Sequence, residues 1–147
     1  MIAELAKYRS IYFLGIGGVG MSGLAGWCNF KKYDIAGYDR EESEYTITLK
    51  SNGVNIHHTL SIEDIPLNFL NNKTTLIVYT PAIKKDHTLY QFFLNKNFKI
   101  IQRSTLLSLI CSNYNVIAIA GTHGKTTISI MLSHLLLNAG YNPTAFF

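Results

Sequence analysis

Short apolar runs take turns along this chain with longer segments whose apolar residues recur at helical spacing. Residues 10–14 are an apolar run that enters a glycine-rich turn, and 19–30 then place Met21, Leu24, Ala25 and Cys28 on one helix face. Residues 34–38 read as a second strand ending at Asp39, and 42–51 as a helix stopped by Asn52 and Gly53. The pattern continues with a short strand at 54–56, a buried strand at 76–79 bounded by Thr80 and Pro81, and a helix at 87–97. A strand at 99–101 and a helix at 104–113 capped by Ser104 follow. Residues 115–120 predict another apolar strand and 126–139 its helix, ended by Gly140, while 143–147 read as the start of one more buried strand. Only 67–73 fits neither period and is expected to be a loop or a single helical turn.

Strands separated by helices, repeatedly, predict an α/β protein: a Rossmann-like parallel sheet with helices on both faces. A domain boundary is expected near Ser112, Asn113 and Tyr114, giving one domain over 1–112 and the start of a second over 113–147. That second part reads as the first β-loop-α unit of a P-loop ATPase domain, which needs further strands, so the chain is expected to stop inside a domain.

Composition narrows the class without naming a ligand. Apolar residues make up 48% and charged residues 15%, which suits a folded core and excludes a disordered chain. No run approaches the roughly 18 apolar residues of a membrane span. Charges interrupt the apolar start, Met1 to Arg9, so it lacks a signal-peptide layout, and a cytoplasmic address is the default expectation. The two cysteines, Cys28 and Cys111, lack metal or redox spacing and read as buried thiols in a reducing compartment. A net charge of +4, scattered rather than clustered, excludes a dense nucleic-acid surface and suits a small anionic ligand.

Two loops carry the chemistry. Gly15-Ile16-Gly17-Gly18-Val19-Gly20 satisfies G-x-G-x-x-G between a strand and a helix, with an acidic residue, Asp39, about 20 residues further on. In such a loop Gly15 permits the turn, Gly17 admits a diphosphate, Gly20 allows close helix packing, and Asp39 meets a ribose hydroxyl. The second is Gly121-Thr122-His123-Gly124-Lys125-Thr126-Thr127. Ile119 stands where G-x-x-x-x-G-K-[ST] wants its first glycine, so this is a shortened phosphate loop. Its backbone N–H groups and helix N-terminus would cradle phosphates, Lys125 would hold the terminal phosphates and the Thr126 hydroxyl would bind Mg²⁺. An anion loop near each end predicts two phosphorylated ligands, where a nicotinamide enzyme needs one.

Together the blocks Gly15-Ile16-Gly17-Gly18-Val19-Gly20-Met21-Ser22-Gly23-Leu24-Ala25 and Ala120-Gly121-Thr122-His123-Gly124-Lys125-Thr126-Thr127 resemble the Mur ligases of bacterial peptidoglycan synthesis. Tyr79-Thr80-Pro81-Ala82-Ile83 and Ile101-Gln102-Arg103-Ser104 fit the same family. The resemblance spans the whole chain but only an N-terminal part of the family's length, and the glycine-rich first loop favours the alanine-adding members.

The resemblance implies a domain that holds the UDP part of UDP-N-acetylmuramate, followed by a central ATPase domain and a C-terminal domain. It implies an ATP- and Mg²⁺-dependent reaction in which the sugar's carboxylate becomes an acyl phosphate and L-alanine then displaces phosphate. Contacts to the UDP sugar would fall on Gly15, Gly17, Gly18, Gly20, Met21, Ser22, Asp39, His58, Thr80, Pro81, Ala82 and Arg103. Residues 121–127 would bind ATP, with Lys125 and Thr126 as the catalytic pair and Thr126 the one metal ligand in this stretch. The remaining Mg²⁺ ligands and the L-alanine site would lie beyond Phe147. His57 and His123 are further candidates to lie near ligand, whereas His87, His134, Trp27 and Phe30 read as structural residues, as does the side chain of Met21. Three alternatives stay open: a tripeptide-recycling ligase acting on the same UDP sugar, a stand-alone nucleotide-sugar module and an NAD-binding Rossmann protein.

Overall fold

The computed structural model describes residues 4–146; Met1, Ile2, Ala3 and Phe147, part of the two terminal readings above, lie outside them. The chain divides into two compact units, one ending at Asn113 and the other starting at Tyr114.

Five parallel strands build the first unit: β1 (Ser10–Leu14), β2 (Asp34–Tyr38), β3 (Asn55–His57), β4 (Thr75–Tyr79) and β5 (Lys99–Gln102). Their order is β3-β2-β1-β4-β5, so the chain moves outward from β1 in one direction and then returns to extend the sheet on its other side. Four helices link them: α1 (Val19–Phe30), α2 (Glu44–Ser51), α3 (Thr88–Asn95) and α4 (Arg103–Cys111). Every residue of β1 is buried, as expected of a central strand covered on both faces.

Alternation along the strands sorts the side chains into two cores. Tyr12, Leu14, Ala36, Tyr38 and Ile77 meet Leu89 and Phe93 of α3, together with Ile65, Phe69 and Phe98. The opposite parity, Ile11, Phe13, Ile35, Leu76 and Val78, is also buried, as are Met21, Leu24, Ala25 and Cys28 of α1 and Leu106 and Ile110 of α4. Helix α1 touches both α2 and α4 and so lies between them over that face. Burial pushes the Cys28 thiol up to about 12, which makes it an inert packing group, whereas Cys111, expected to be buried as well, is only half-buried at the last position of α4.

Several boundaries differ from the sequence pattern for local reasons. Helix α2 starts at Glu44 because Ser43 accepts from the Thr46 N–H while Thr46 answers the Ser43 N–H, a reciprocal cap. Helix α4 starts one residue before Ser104, with Gln102 at the cap position and no side-chain cap bond, so Ser104 does not serve as the cap. The 67–73 stretch begins with the single helical turn expected there, a 3-10 turn at Leu67–Phe69 that delivers Phe69 to the core, and a second 3-10 turn, Ile62–Asp64, precedes it.

The second unit holds α5 (Lys125–Asn138) and the loop before it. Residues 115–120 form no strand, contrary to the apolar pattern, and neither do 143–146, the described part of the strand expected at 143–147. A strand exists only as part of a ladder, and no described segment pairs with either. No helix among the described residues is long and apolar enough to cross a membrane.

Candidate functional site

The carboxyl ends of β1, β2 and β4 bring the first loop and its partners to one edge of the sheet, where the strand order reverses. Gly15 turns the chain out of β1 with φ +83°, and its N–H donates to the Tyr38 carbonyl at 2.8 Å. A Cβ there would stand 2.6 Å from the Thr80 methyl, so the end of β4 closes over the turn. Gly18 takes the N-cap position of α1.

Gly17 lies beneath Asp39. Its N–H donates to Asp39 Oδ2 at 2.6 Å, and a Cβ would come 2.8 Å from the methyl of buried Thr46. Asp39 is held on every side: Oδ1 accepts from the Glu41 N–H at 3.3 Å, its N–H donates to the His57 carbonyl at 3.2 Å, and its own carbonyl accepts from His58 Nδ1 at 2.9 Å. His58 Nε2 is then left to accept from Lys50, whose ammonium also donates to Glu42 at 2.8 Å and holds that carboxyl below its usual range.

Gly20 has a different neighbour. The guanidinium of Arg103 occupies the space a Cβ would need, so Arg103 lies directly against the first turn of α1. Arg103 is exposed, forms no ion pair among the described residues and sits in the first turn of α4. A cation at a helix N-terminus opposes the helix dipole, and neither α1 nor α4 carries an acidic residue in its first turn to offset it. Two positive helix ends and a guanidinium therefore meet at one glycine loop, an arrangement that favours a bound anion.

The structure thus gathers Gly15, Gly17, Gly18, Gly20, Asp39, His58, Thr80 and Arg103. It turns two of the expected residues inward: Met21 is buried, and Ser22 spends its hydroxyl on the Val19 carbonyl at 2.9 Å. Pro81 and Ala82 are exposed just past β4. Thr46 and Ile83, absent from the sequence candidates, pack on Gly17 and Gly15. The capping pattern from Ser43 to Thr46 was the available signal for Thr46.

Behind this edge, buried Tyr12 donates to His57 Nε2, a direction fixed because His57 Nδ1 faces the Thr59 carbonyl at 3.0 Å and must be the donor there. Burial lowers the proton affinity of His57 and raises that of the Tyr12 phenol. Tyr38 packs between His57 and His87, with ring centroids 5.7 and 5.1 Å away, and burial likewise lowers His87.

In the second unit Gly124 caps α5 in the left-handed region, φ +79°. No side chain caps this helix end. Lys125 folds back over the loop, donating to the Gly121 carbonyl at 2.7 Å and the Thr122 carbonyl at 3.3 Å. Its ammonium is therefore aligned with the turn, while Thr122, His123, Thr126 and Thr127 are exposed around it. No group of three or more His, Cys, Asp or Glu residues among the described ones could hold a metal ion, so Thr126 stands as an isolated hydroxyl.

A Rossmann-like parallel sheet edge with a glycine loop, followed in the chain by a second glycine loop that opens a helix, defines a class, and the family comparison agrees. The family model described as Mur ligase family, catalytic domain, matches residues 10–115, and the chain belongs to that family. Among curated relatives, the UDP-N-acetylmuramate–L-alanine ligase of Christiangramia forsetii is 42% identical over 144 residues, covering 97% of this chain and 32% of the relative. The ligase of the same name from Cytophaga hutchinsonii is 39% identical, with 97% and 31% covered. Among solved structures, the UDP-N-acetylmuramate-alanine ligase MurC of Thermotoga maritima aligns with a TM-score of 0.79 at 28% identity, over 89% of this chain and 30% of that one. The UDP-N-acetylmuramate:L-alanyl-gamma-D-glutamyl-meso-diaminopimelate ligase of Neisseria meningitides aligns with a TM-score of 0.80 at 26% identity, over 90% and 40%. The chain spans about a third of the length of the curated relatives it matches.

Proposed function

We propose that these residues form the UDP-sugar domain and the ATP phosphate loop of a ligase that joins L-alanine to UDP-N-acetylmuramate in the cytoplasm. The observation that carries the reading is the seat of Arg103 on Gly20, a guanidinium with no ion pair among the described residues at two helix N-termini, in a chain that also holds the loop at 121–127. Arg103 and the start of α1 would receive the sugar nucleotide's diphosphate, and Thr80 would border it.

The phosphate loop suits ATP on its own geometry. With Gly124 in the left-handed region at the N-cap, no side chain takes the first N–H groups of α5, and Lys125 adds a charge over the same loop for the terminal phosphates. Thr126 would contribute one oxygen to Mg²⁺, which, when bound, neutralises phosphate charge. In the proposed reaction a carboxylate oxygen of the sugar attacks the γ-phosphorus and ADP leaves. The amine of L-alanine then attacks the acyl carbon, phosphate departs and the nitrogen loses a proton.

Calorimetry on this 147-residue chain tests the binding half. UDP-N-acetylmuramate is expected to bind weakly and more tightly than NAD, with Arg103→Ala removing most of the binding. No binding, or a preference for NAD, overturns it. The chain alone is expected to release no phosphate in response to L-alanine, because it spans about a third of the length of the ligases it matches; release dependent on Lys125 would refute that. The tripeptide ligase of Neisseria fits the fold equally well, so the alanine reading rests on the 42% and 39% identical relatives rather than on shape.

A further inference from the structure

We propose that Asp39 is a positioning residue of the glycine loop: its carboxylate holds the Gly17 amide and so selects a nucleoside diphosphate on the Arg103 side over a dinucleotide. The inference rests on the UDP-sugar reading and deepens it.

In a dinucleotide fold the second glycine exists so that the pyrophosphate can approach its backbone. Here that N–H is already taken, at 2.6 Å, by Asp39 Oδ2. A charge-assisted bond of this length is among the stronger hydrogen bonds a loop can form. The other carboxylate oxygen accepts from Glu41, and the Asp39 backbone is tied to His57 and His58, so the side chain has little freedom to swing away. Thr46 closes Gly17 from the side. A diphosphate brought to Gly17 would meet a carboxylate of its own sign in place of a free donor. The cation of the site lies at the other end of the loop, where Arg103 covers Gly20. Charge along the loop thus runs from negative at Gly17 to positive at Gly20, and the ligand's anionic part is directed to the Arg103 end.

Two measurements on the intact chain test this. By amide exchange in nuclear magnetic resonance, the Gly17 N–H is expected to be protected with its proton shifted downfield. Asp39→Asn should retain protection with a smaller shift, and Asp39→Ala should remove protection at Gly17 while leaving Ile77 and Phe93 unchanged. An unprotected Gly17, or one indifferent to Asp39→Ala, overturns the proposal without touching the UDP-sugar reading. By calorimetry with UDP, 2′,3′-dideoxy-UDP and NAD, Asp39→Ala should shift the ratio of affinities toward NAD about tenfold, the scale of one charged hydrogen bond. It should leave the ratio of UDP to its dideoxy analogue unaltered. If the substitution abolishes a preference for UDP over the dideoxy analogue, Asp39 is a ribose ligand and the proposal fails. If the unaltered chain prefers NAD to UDP, the uridine reading falls and the selectivity with it, while the Gly17 exchange result stands by itself.

Discussion

The two glycine loops differ in what holds them. The loop of the first unit is defined by distant parts of the chain: the Thr80 methyl bears on Gly15, Asp39 and Thr46 on Gly17, and Arg103 on Gly20. The loop of the second unit is defined within itself, by the left-handed Gly124 and by Lys125 bonding to carbonyls three and four residues back. The difference extends to the helices that follow. Helix α1 buries Met21, Ser22, Leu24, Ala25 and Cys28, while α5 buries no residue and exposes Leu135 by 63%. Local geometry is thus enough to shape a phosphate loop, whereas a selective site needs a sheet edge that collects residues from several elements.

The contrast is broken most directly in the helices. Phe93→Ala removes a fully buried ring that packs tilted against Tyr12 and edge-to-face on Phe98, each with centroids at 5.0 Å, and is expected to cost about 3–5 kcal/mol in urea unfolding. Leu135→Ala is expected to cost no more than about 0.5 kcal/mol, as an exposed position should. Comparable losses would mean that the two units are stabilised alike.

The glycines sharpen the comparison at a smaller scale. Gly15→Ala adds a left-handed penalty to a collision with Thr80, and should lower the stability of the first unit by about 2–3 kcal/mol. At Gly124 the nearest outside atom to an added Cβ is Ile128 Cδ1 at 3.8 Å, so Gly124→Ala meets only the backbone penalty of about 1–2 kcal/mol. Amide exchange along the first turn of α5 would register it, with no change in exchange in β1. An equal response of β1 to both substitutions would contradict the local character of the second loop.

The smallest expected effect is a pH dependence confined to the first unit. His57 and His87 both have folded proton affinities lowered from the ordinary 6.5, chiefly by burial. The unfolded chain therefore binds protons more readily, and the stability these groups contribute is complete above about pH 6.5 and declines as pH falls through and below it. Urea midpoints between pH 7.5 and 5.5 should fall, and His57→Asn should flatten part of the slope. A midpoint that rises on acidification would refute the assigned direction.

Much of this was legible in the apolar pattern. The bounds of β1, α1 and β2 were readable because each is an apolar segment beside strong punctuation, such as Gly15 after β1 or Asp39 after β2, and because the first sheet gives both strands a partner and α1 a face to cover. The same pattern at 115–120 and from 143 onward predicted strands that do not form among the described residues, since periodicity reports burial potential and says nothing about whether a neighbour exists to accept the ladder. The glycine spacing identified the first loop but not what fills the space at Gly20, where the missing side chain makes room for Arg103, far along the chain. Met21 and Ser22 belong to the motif as letters, yet one is buried and the other bonds within its own helix.

The sequence by itself determined the α/β class, both glycine loops and the family to which the chain belongs, because these depend on spacing within short stretches. Only the tertiary structure decided that Arg103 rests on Gly20 and that Asp39 holds the Gly17 amide. Such contacts join residues from separate strands and helices, and it is the parallel sheet, with all its carboxyl ends on one edge, that brings them within bonding distance.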